Sequence, residues 1–217
     1  MKIKHFETKE DWLGFRKGMF TASEIHRLLA KPKTGTISVG AITYIYERIA
    51  AMLAPQQQDF YNSAMEHGNE TEPQAIMAIA ERHGFNVTDD DFIYTSIGGF
   101  VFFTDDDEIF GGTPDLITPN FIAEIKCPDS KTHLEYYMMN SSEDILDNCK
   151  NYYTQMQINM LLTEKKLCKF VSFDDRFYDK KYHYKEIDVP LNEEFIVDAM
   201  SKIKLANEFK TQILSQL

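Results

Sequence analysis

The chain has 217 residues, enough to bury a substantial core within one domain, and at 43% hydrophobic and 26% charged it has the composition of an ordinary globular protein. A net charge of −11 excludes a protein that coats nucleic acid indiscriminately, so any phosphate contact has to be local. Three widely spaced cysteines, Cys127, Cys149 and Cys168, exclude a disulfide framework and a zinc site, and no apolar run approaches the roughly 20 residues of a membrane span or forms a secretory leader, so a reduced, cytoplasmic setting is expected.

Between Arg16 and Lys33 five basic residues (Arg16, Lys17, Arg27, Lys31, Lys33) stand against one acid, Glu24. This is the first candidate phosphate site, although a solvated basic helix face has the same pattern. Within it, Thr21-Ala-Ser-Glu24 reads as a capping box opening a short helix that buries Ile25, Leu28 and Leu29 and stops at Pro32. Val39, Ile42, Tyr46, Ile49 and Leu53 recur at helical spacing and predict a second helix. A third runs from about Ala64 to His83 and ends at Gly84, with Pro73 marking a kink or a fresh start.

From Asn86 the pattern turns to short β-rich runs: Phe92 to Tyr94, Phe100 to Thr104, Thr113 to Thr118 and Phe121 to Cys127. A helix from Glu143 to Leu162, strands from Cys168 to Phe173 and Tyr182 to Val189, and a last helix from Asn192 to Leu214 complete an α/β order. One domain is expected over 1–217, with N-terminal helices over 1–85, a central sheet and helix over 86–163, and C-terminal strands and helix over 164–217. The acidic runs Asp89–Asp91 and Asp105–Glu108 read as solvated loop tips rather than metal sites.

The chemistry concentrates in the stretch from Gly111 to Pro128. With Pro119-Asn120 at a hairpin tip, equal steps outward set Leu116 opposite Ala123 and Asp115 opposite Glu124, with Cβ atoms roughly 4.5–5.5 Å apart on one face, whereas a longer loop or bulge, proline being a poor fit to a primed two-residue turn, would shift that pairing. Two carboxylates so placed repel unless a cation lies between them. Alternation along the strand brings Lys126 to the side of Glu124 and turns Ile125 into the core. A hard divalent ion wants such oxygen ligands, can polarise a phosphodiester and activate water, and an ammonium beside it can orient that water. An exposed hairpin with a surface Asp and an ordinary Glu/Lys alternation carries the same short motif, so the motif alone decides nothing.

The surrounding segments decide it. Phe15-Arg-Lys-Gly-Met-Phe-Thr-Ala-Ser-Glu-Ile-His26, His67-Gly-Asn-Glu-Thr-Glu-Pro-Gln-Ala75, Gly112-Thr-Pro-Asp115, Ala123-Glu-Ile-Lys-Cys-Pro128 and Tyr152-Tyr-Thr-Gln-Met-Gln-Ile-Asn-Met160 occur in the order found in the lambda exonuclease and YqaJ-like viral recombinase family, which the chain resembles over about residues 12 to 160. The resemblance implies the restriction-endonuclease-like, PD-(D/E)XK fold, a mixed β-sheet flanked by helices. It also implies a Mg²⁺-dependent deoxyribonuclease, with two ions and Mn²⁺ as a possible substitute, that degrades linear duplex DNA 5′ to 3′ into 5′-mononucleotides and a 3′ tail. By the same resemblance Asp115, Glu124 and the backbone carbonyl of Ile125 are metal ligands, Lys126 is the catalytic lysine, and Glu72 is the helical glutamate near the metals, with Glu70 as its fallback. Gln155 matches the glutamine near the attacking water, with Gln157 off-face. Tyr152 reads as core, and Tyr153 as a residue that could line the DNA path.

Arg16, Thr21, Ser23 and Lys33 match the positions that hold a terminal 5′-phosphate, and a helix N-terminus there would suit an anion. Lys33 replaces an arginine, a point charge in place of a bidentate fork. His67 stands beside a motif but outside the ligand set. The resemblance further implies a homotrimer around DNA and a single-strand annealing protein as partner. The alternatives are an endonuclease of the same fold, or a catalytically silent DNA-binding or assembly module. An iron–sulfur nuclease is set aside because it needs four cluster cysteines.

Overall fold

The structure is a computed structural model that describes residues 1–54, 63–89, 92–94 and 100–217, without the side chains of 63–67 and 69. Its first sheet runs in the order β1 (Lys2–Phe6), β4 (Phe100–Thr104), β5 (Phe110–Gly112) and β2 (Phe20–Thr21). The second runs β3 (Ile93–Tyr94), β6 (Leu116–Ile117), β7 (Ile122–Lys126), β8 (Leu167–Phe173) and β9 (Tyr184–Pro190). Both are mixed: β2 lies parallel to β5 and β7 parallel to β8, and the other pairs are antiparallel. The mixed α/β architecture, helices flanking these sheets, is the expected one.

The hairpin register is the one read from the sequence, with Leu116 paired to Ala123, Ile117 to Ile122, and the Thr118 amide donating to the Phe121 carbonyl at 2.9 Å. Strand β7 is covered on both faces, as a strand with a parallel neighbour usually is. Ala123 and Ile125 pack with Ala75, Ile76 and Ile79 of α3 (Ser63–His83), which keeps Pro73 inside it, while Ile122 packs with Ile158 and Phe170 on the other side. That other side is closed by α6 (Lys150–Thr163), which packs against strands of both sheets, and α6 is backed by α7 (Glu193–Leu214). Helix α7 begins where expected, because the Asn192 side chain accepts from the Phe195 amide.

Several expectations are corrected. The capping box does not form: Thr21 belongs to β2, only a three-residue 3-10 turn, Ile25–Arg27, follows, and the Glu24 carboxylate pairs with Arg27 instead. Helix α2 (Val39–Leu53) stands where predicted, but Val39, Tyr46 and Leu53 are exposed and the buried face is Ala41, Tyr44, Ile45 and Ile49. The helix expected from Glu143 is two, α5 (Ser142–Asn148) and α6, because Cys149 leaves the helical region with φ −136° and ψ 50°. Strands β1, β2 and β5 and helices α1 (Lys9–Phe15) and α4 (Ser130–Tyr137) have no counterpart in the sequence reading. All three cysteines are free thiols, and no helix among the described residues is long and apolar enough to cross a membrane.

Candidate active site

Asp115, Glu124 and Lys126 meet at the carboxyl end of β7. Asp115 follows β5 and precedes β6, and its Oδ2 accepts the Ile125 amide at 2.7 Å, which ties it to the strand between the other two residues. Glu124 is buried to 1% exposure on the face covered by α6. The Lys126 ammonium lies 2.5 Å from Glu124 Oε1 and 3.9 Å from Asp115 Oδ2, so it is the cation that the opposed carboxylates require. It also lies 4.9 Å from the centre of the Tyr152 ring on α6.

Burial, and then the charge of Asp115, push the Glu124 carboxyl up to about 8, and burial likewise raises Asp115. Burial alone would lower Lys126, but Glu124 and Asp115 outweigh it and hold the ammonium above its ordinary value. Among the described residues no three His, Cys, Asp or Glu side chains form a ready-made metal cage. The donor set fits a hard divalent ion, because Glu124 Oε2 is buried with no hydrogen-bond partner among the described residues and so presents an unmet need for a cation.

Glu72 is half-buried on α3 and its charge is felt at both Glu124 and Cys127, whereas Glu70 is exposed. Two residues along a helix turn the side chain by about 200°. The structure therefore favours Glu72 over Glu70 as the helical carboxylate facing this site. The side chain of His67 lies outside the described ones.

On α6 the two candidate glutamines separate cleanly. Gln157 is buried, donates to the Pro190 carbonyl at 2.9 Å and accepts the Asn192 amide at 2.8 Å, so it clamps the β9–α7 connection. Gln155 is half-buried and, three residues after Tyr152, sits on the side of the helix that Tyr152 turns toward Lys126. Tyr152 packs against the core as expected and also meets Lys126, whereas Tyr153 departs from its expected place. Tyr153 is 4% exposed, stacks edge-on against Phe195 and accepts from Asn192 Nδ2, so it belongs to the core rather than to a DNA path, while Tyr152 faces the site.

Of the candidate phosphate residues Thr21 lies in the first sheet, Arg16 at the end of α1, Ser23 in the turn after β2 and Lys33 in the link before α2. Thr21 pairs with Gly111 in register, and Phe102 lies so close over Gly111 that a Cβ there would meet its ring at 2.3 Å. The Arg16 guanidinium, at the end of α1, covers the rings of Trp12 at 4.1 Å and Phe102 at 5.6 Å. One face of this sheet therefore carries Arg16, Phe102, Gly111 and Thr21 in succession. The Thr21 and Ser23 hydroxyls are 3.4 Å apart, and the Thr21 amide donates to the buried Tyr44 hydroxyl at 3.0 Å. Lys33 is exposed in the link before α2. With only a three-residue 3-10 turn after Ser23, no helix dipole is available to an anion there, and hydroxyls and guanidinium remain as the donors.

Residues that the sequence reading passed over join the two regions. A Cβ on Gly112 would meet Asn159 Oδ1 at 2.3 Å and the Ala22 Cβ at 2.6 Å, so only glycine lets the Thr21–Ser23 segment and α6 close on the strand that leads to Asp115. The doublet Gly111-Gly112 was the available signal. Tyr44, counted by periodicity as no part of the α2 stripe, carried none.

The raised Glu124 carboxyl sets a pH dependence for the metal-free protein. Between its ordinary value near 4.5 and about 8 the folded chain holds a proton that the unfolded chain has released, so stability falls as pH rises through that window. The loss is bounded by about 5 kcal/mol at 1.36 kcal/mol per unit. Melting in chelator should show a steady drop across the window, and a divalent ion should stabilise most at its alkaline end. A chelated melting temperature that rises or stays flat there would refute the assignment.

Residues 11–166 match the YqaJ-like viral recombinase domain. Among solved structures, the chain is similar to an alkaline exonuclease from Laribacter hongkongensis, with a TM-score of 0.75 and 25% identity over 96% of this chain and 95% of that one, and equally to the same exonuclease in complex with dAMP. A phage-related exonuclease from Haemophilus somnus 129PT, at a TM-score of 0.70 and 17% identity over 91% of this chain and 96% of that one, shares the fold. No curated protein is recognisably similar in sequence. The fold is restriction-endonuclease-like, and with its match spanning most of its length the chain belongs to the YqaJ-like viral recombinase domain family.

Proposed function

We propose that this chain is a Mg²⁺-dependent exodeoxyribonuclease that enters linear duplex DNA at an end, degrades one strand 5′ to 3′ into 5′-mononucleotides and leaves a 3′ single-stranded tail. Family membership and the likeness to alkaline exonucleases make it a nuclease that hydrolyses DNA. The observation that carries the finer reading is the buried Asp115–Glu124–Lys126 cluster with its unpartnered Glu124 oxygen. The complex of the Laribacter exonuclease with dAMP agrees with a mononucleotide product.

Asp115, Glu124, the Ile125 carbonyl and Glu72 would hold the metal, one ion or two, with Mn²⁺ as the nearest substitute for Mg²⁺. When bound, the ion supplies Lewis acidity toward the phosphodiester and lowers the pKa of a coordinated water. The chain's own groups do the rest. Lys126, kept charged by its two carboxylates, donates N–H to orient a water or to steady charge on the phosphate, and Gln155 offers an amide from the same side. Arg16, Thr21, Ser23 and Lys33 supply cations and hydroxyls for a terminal phosphate. A homotrimer threaded by DNA and a single-strand annealing partner complete the reading, on family resemblance.

End-labelled linear duplex should be digested with Mg²⁺ and untouched in chelator, with label released as mononucleotide from the 5′ end and closed circular DNA spared. Ready cutting of the circle would make the chain an endonuclease of this fold, and inertness with every divalent ion would make it a binding module.

A further inference from the structure

Beyond residue 166, outside the family match, the loop joining β8 to β9, residues 174–183, carries three basic residues, Arg176, Lys180 and Lys181, against three acids, of which Asp174 pairs with Arg176 and Asp179 with Lys181. It is exposed yet held firmly. Buried Asp174 accepts from Arg176 Nε at 2.6 Å, His183 Nε2 donates to the Phe177 carbonyl at 2.7 Å, and buried His133 of α4 donates to the Tyr182 carbonyl at 2.7 Å. Phe177 and Tyr182 pack behind, while Tyr178 at the apex is fully exposed and Lys180 and Lys181 stand exposed beside it.

The position of this loop matters. β7 and β8 are parallel, with Lys126 paired to Ser172, so the loop leaves the same strand ends as the catalytic cluster. Arg176 Nη2 donates to the Pro128 carbonyl at 2.6 Å, two residues past Lys126. Ligands of α/β sheets bind outside the carboxyl ends of parallel strands. An exposed aromatic ring stacks on an unpaired base without sequence preference, and neighbouring ammonium groups follow the backbone, whereas bases inside a duplex are already stacked. The Lys181–Asp179 pair is exposed and therefore easily traded for phosphate.

We infer that the β8–β9 loop is a docking surface for single-stranded DNA at the mouth of the catalytic cluster, with Tyr178 stacking on a base and Lys180 and Lys181 on the adjoining phosphates. The inference rests on the nuclease reading for its substrate. It predicts that an oligothymidylate and a hairpin-closed duplex, titrated onto the metal-free protein by fluorescence anisotropy, respond differently to substitution. Tyr178→Ala weakens single-strand binding about tenfold and leaves duplex binding unchanged, Tyr178→Trp restores it, and Lys180→Ala with Lys181→Ala flattens its salt dependence. Unaltered single-strand binding by Tyr178→Ala, equal losses on both DNAs, or a wild type that does not bind the single strand would overturn the inference. In the last case digestion of linear duplex by the wild type still reads the nuclease assignment separately.

Discussion

Glu124→Gln abolishes cleavage of linear duplex DNA, by about a thousandfold or more, and at the same time raises the melting temperature of the metal-free protein. The two effects share one cause. Glu124 is 1% exposed, faces Asp115, and leaves one oxygen without a partner, so its charge is a cost to the apo fold that only a cation offsets. The amide is isosteric and neutral, keeps a carbonyl for Lys126, and removes the repulsion. It also removes most of the attraction for a divalent ion, and a metal's contribution of several kcal/mol to the transition state corresponds to the stated loss at 1.36 kcal/mol per decade. Lys126→Met should fail in the opposite way on stability. It strands two buried carboxylates without their cation, a destabilisation on the order of 3 kcal/mol that grows as pH rises and Glu124 gives up its proton. Melting curves in chelator and rates with Mg²⁺ separate the cases. Both variants inactive, with Glu124→Gln more stable and Lys126→Met less stable than wild type, is the expected pattern. An active Glu124→Gln would remove this carboxylate from the site, and an inactive but destabilised one would mean that it holds the fold together instead.

The same cluster shows what the sequence made legible. Counting outward from Pro119-Asn120 gave the observed register of Leu116 opposite Ala123 and so put Asp115 and Glu124 on one face, although proline fits a primed two-residue turn poorly and a bulge would have shifted the pairing. Local signals of that kind also located α3, β4, β8 and α7 to within a residue or two. What remained hidden depends on partners distant in sequence. β1 reads as a polar stretch, Lys2-Ile-Lys-His-Phe6, and becomes a strand only by pairing with β4, a hundred residues away. The acidic run Asp105–Glu108 read as a solvated loop tip, yet Asp106 meets the N-terminal ammonium at 3.0 Å and Glu108 meets Lys4 at 3.2 Å, so this turn helps to dock that strand. The burial of Tyr153, and the contact that Tyr152 makes with Lys126, have a similar origin. A helix covered by α7 on one side and bordering the catalytic face on the other is apolar most of the way round, and periodicity cannot then say which side is which. In the first sheet, a Thr-x-x-Glu pattern resembles a capping box whether or not a helix follows. Here β5 claimed Thr21 for strand pairing, because the Phe20 amide donates to the Ile109 carbonyl at 3.0 Å and the Ala22 amide to the Gly111 carbonyl at 2.8 Å.

That strand pairing bears on the second large effect, a preference for phosphorylated ends. Linear duplex with a 5′-phosphate should be degraded tenfold or more faster than the same duplex with a 5′-hydroxyl, since one charge-assisted contact to phosphate is worth about 1.5–3 kcal/mol. Without a helix dipole at Ser23, the preference rests on the Thr21 and Ser23 hydroxyls, fixed 3.4 Å apart by β2 and Tyr44, and on the guanidinium of Arg16 held over Trp12 and Phe102. Arg16→Ala should erase it by slowing the phosphorylated substrate alone, whereas a general loss of DNA affinity would slow both. Arg16→Lys should recover part of it, because the charge returns while the planar stacking and bidentate fork do not. Lys33→Ala should matter less, since Lys33 is exposed on a link with no partner among the described residues, and an ammonium in water is worth little. The Trp12 ring, the only indole in the chain and in contact with Arg16, gives a direct reading: its fluorescence should respond to a 5′-phosphorylated duplex in chelator and not to the hydroxyl-ended one. Equal rates on both ends with Arg16 intact would leave the metal cluster standing and remove the terminal-phosphate pocket, and with it the physical basis for a 5′ direction of travel.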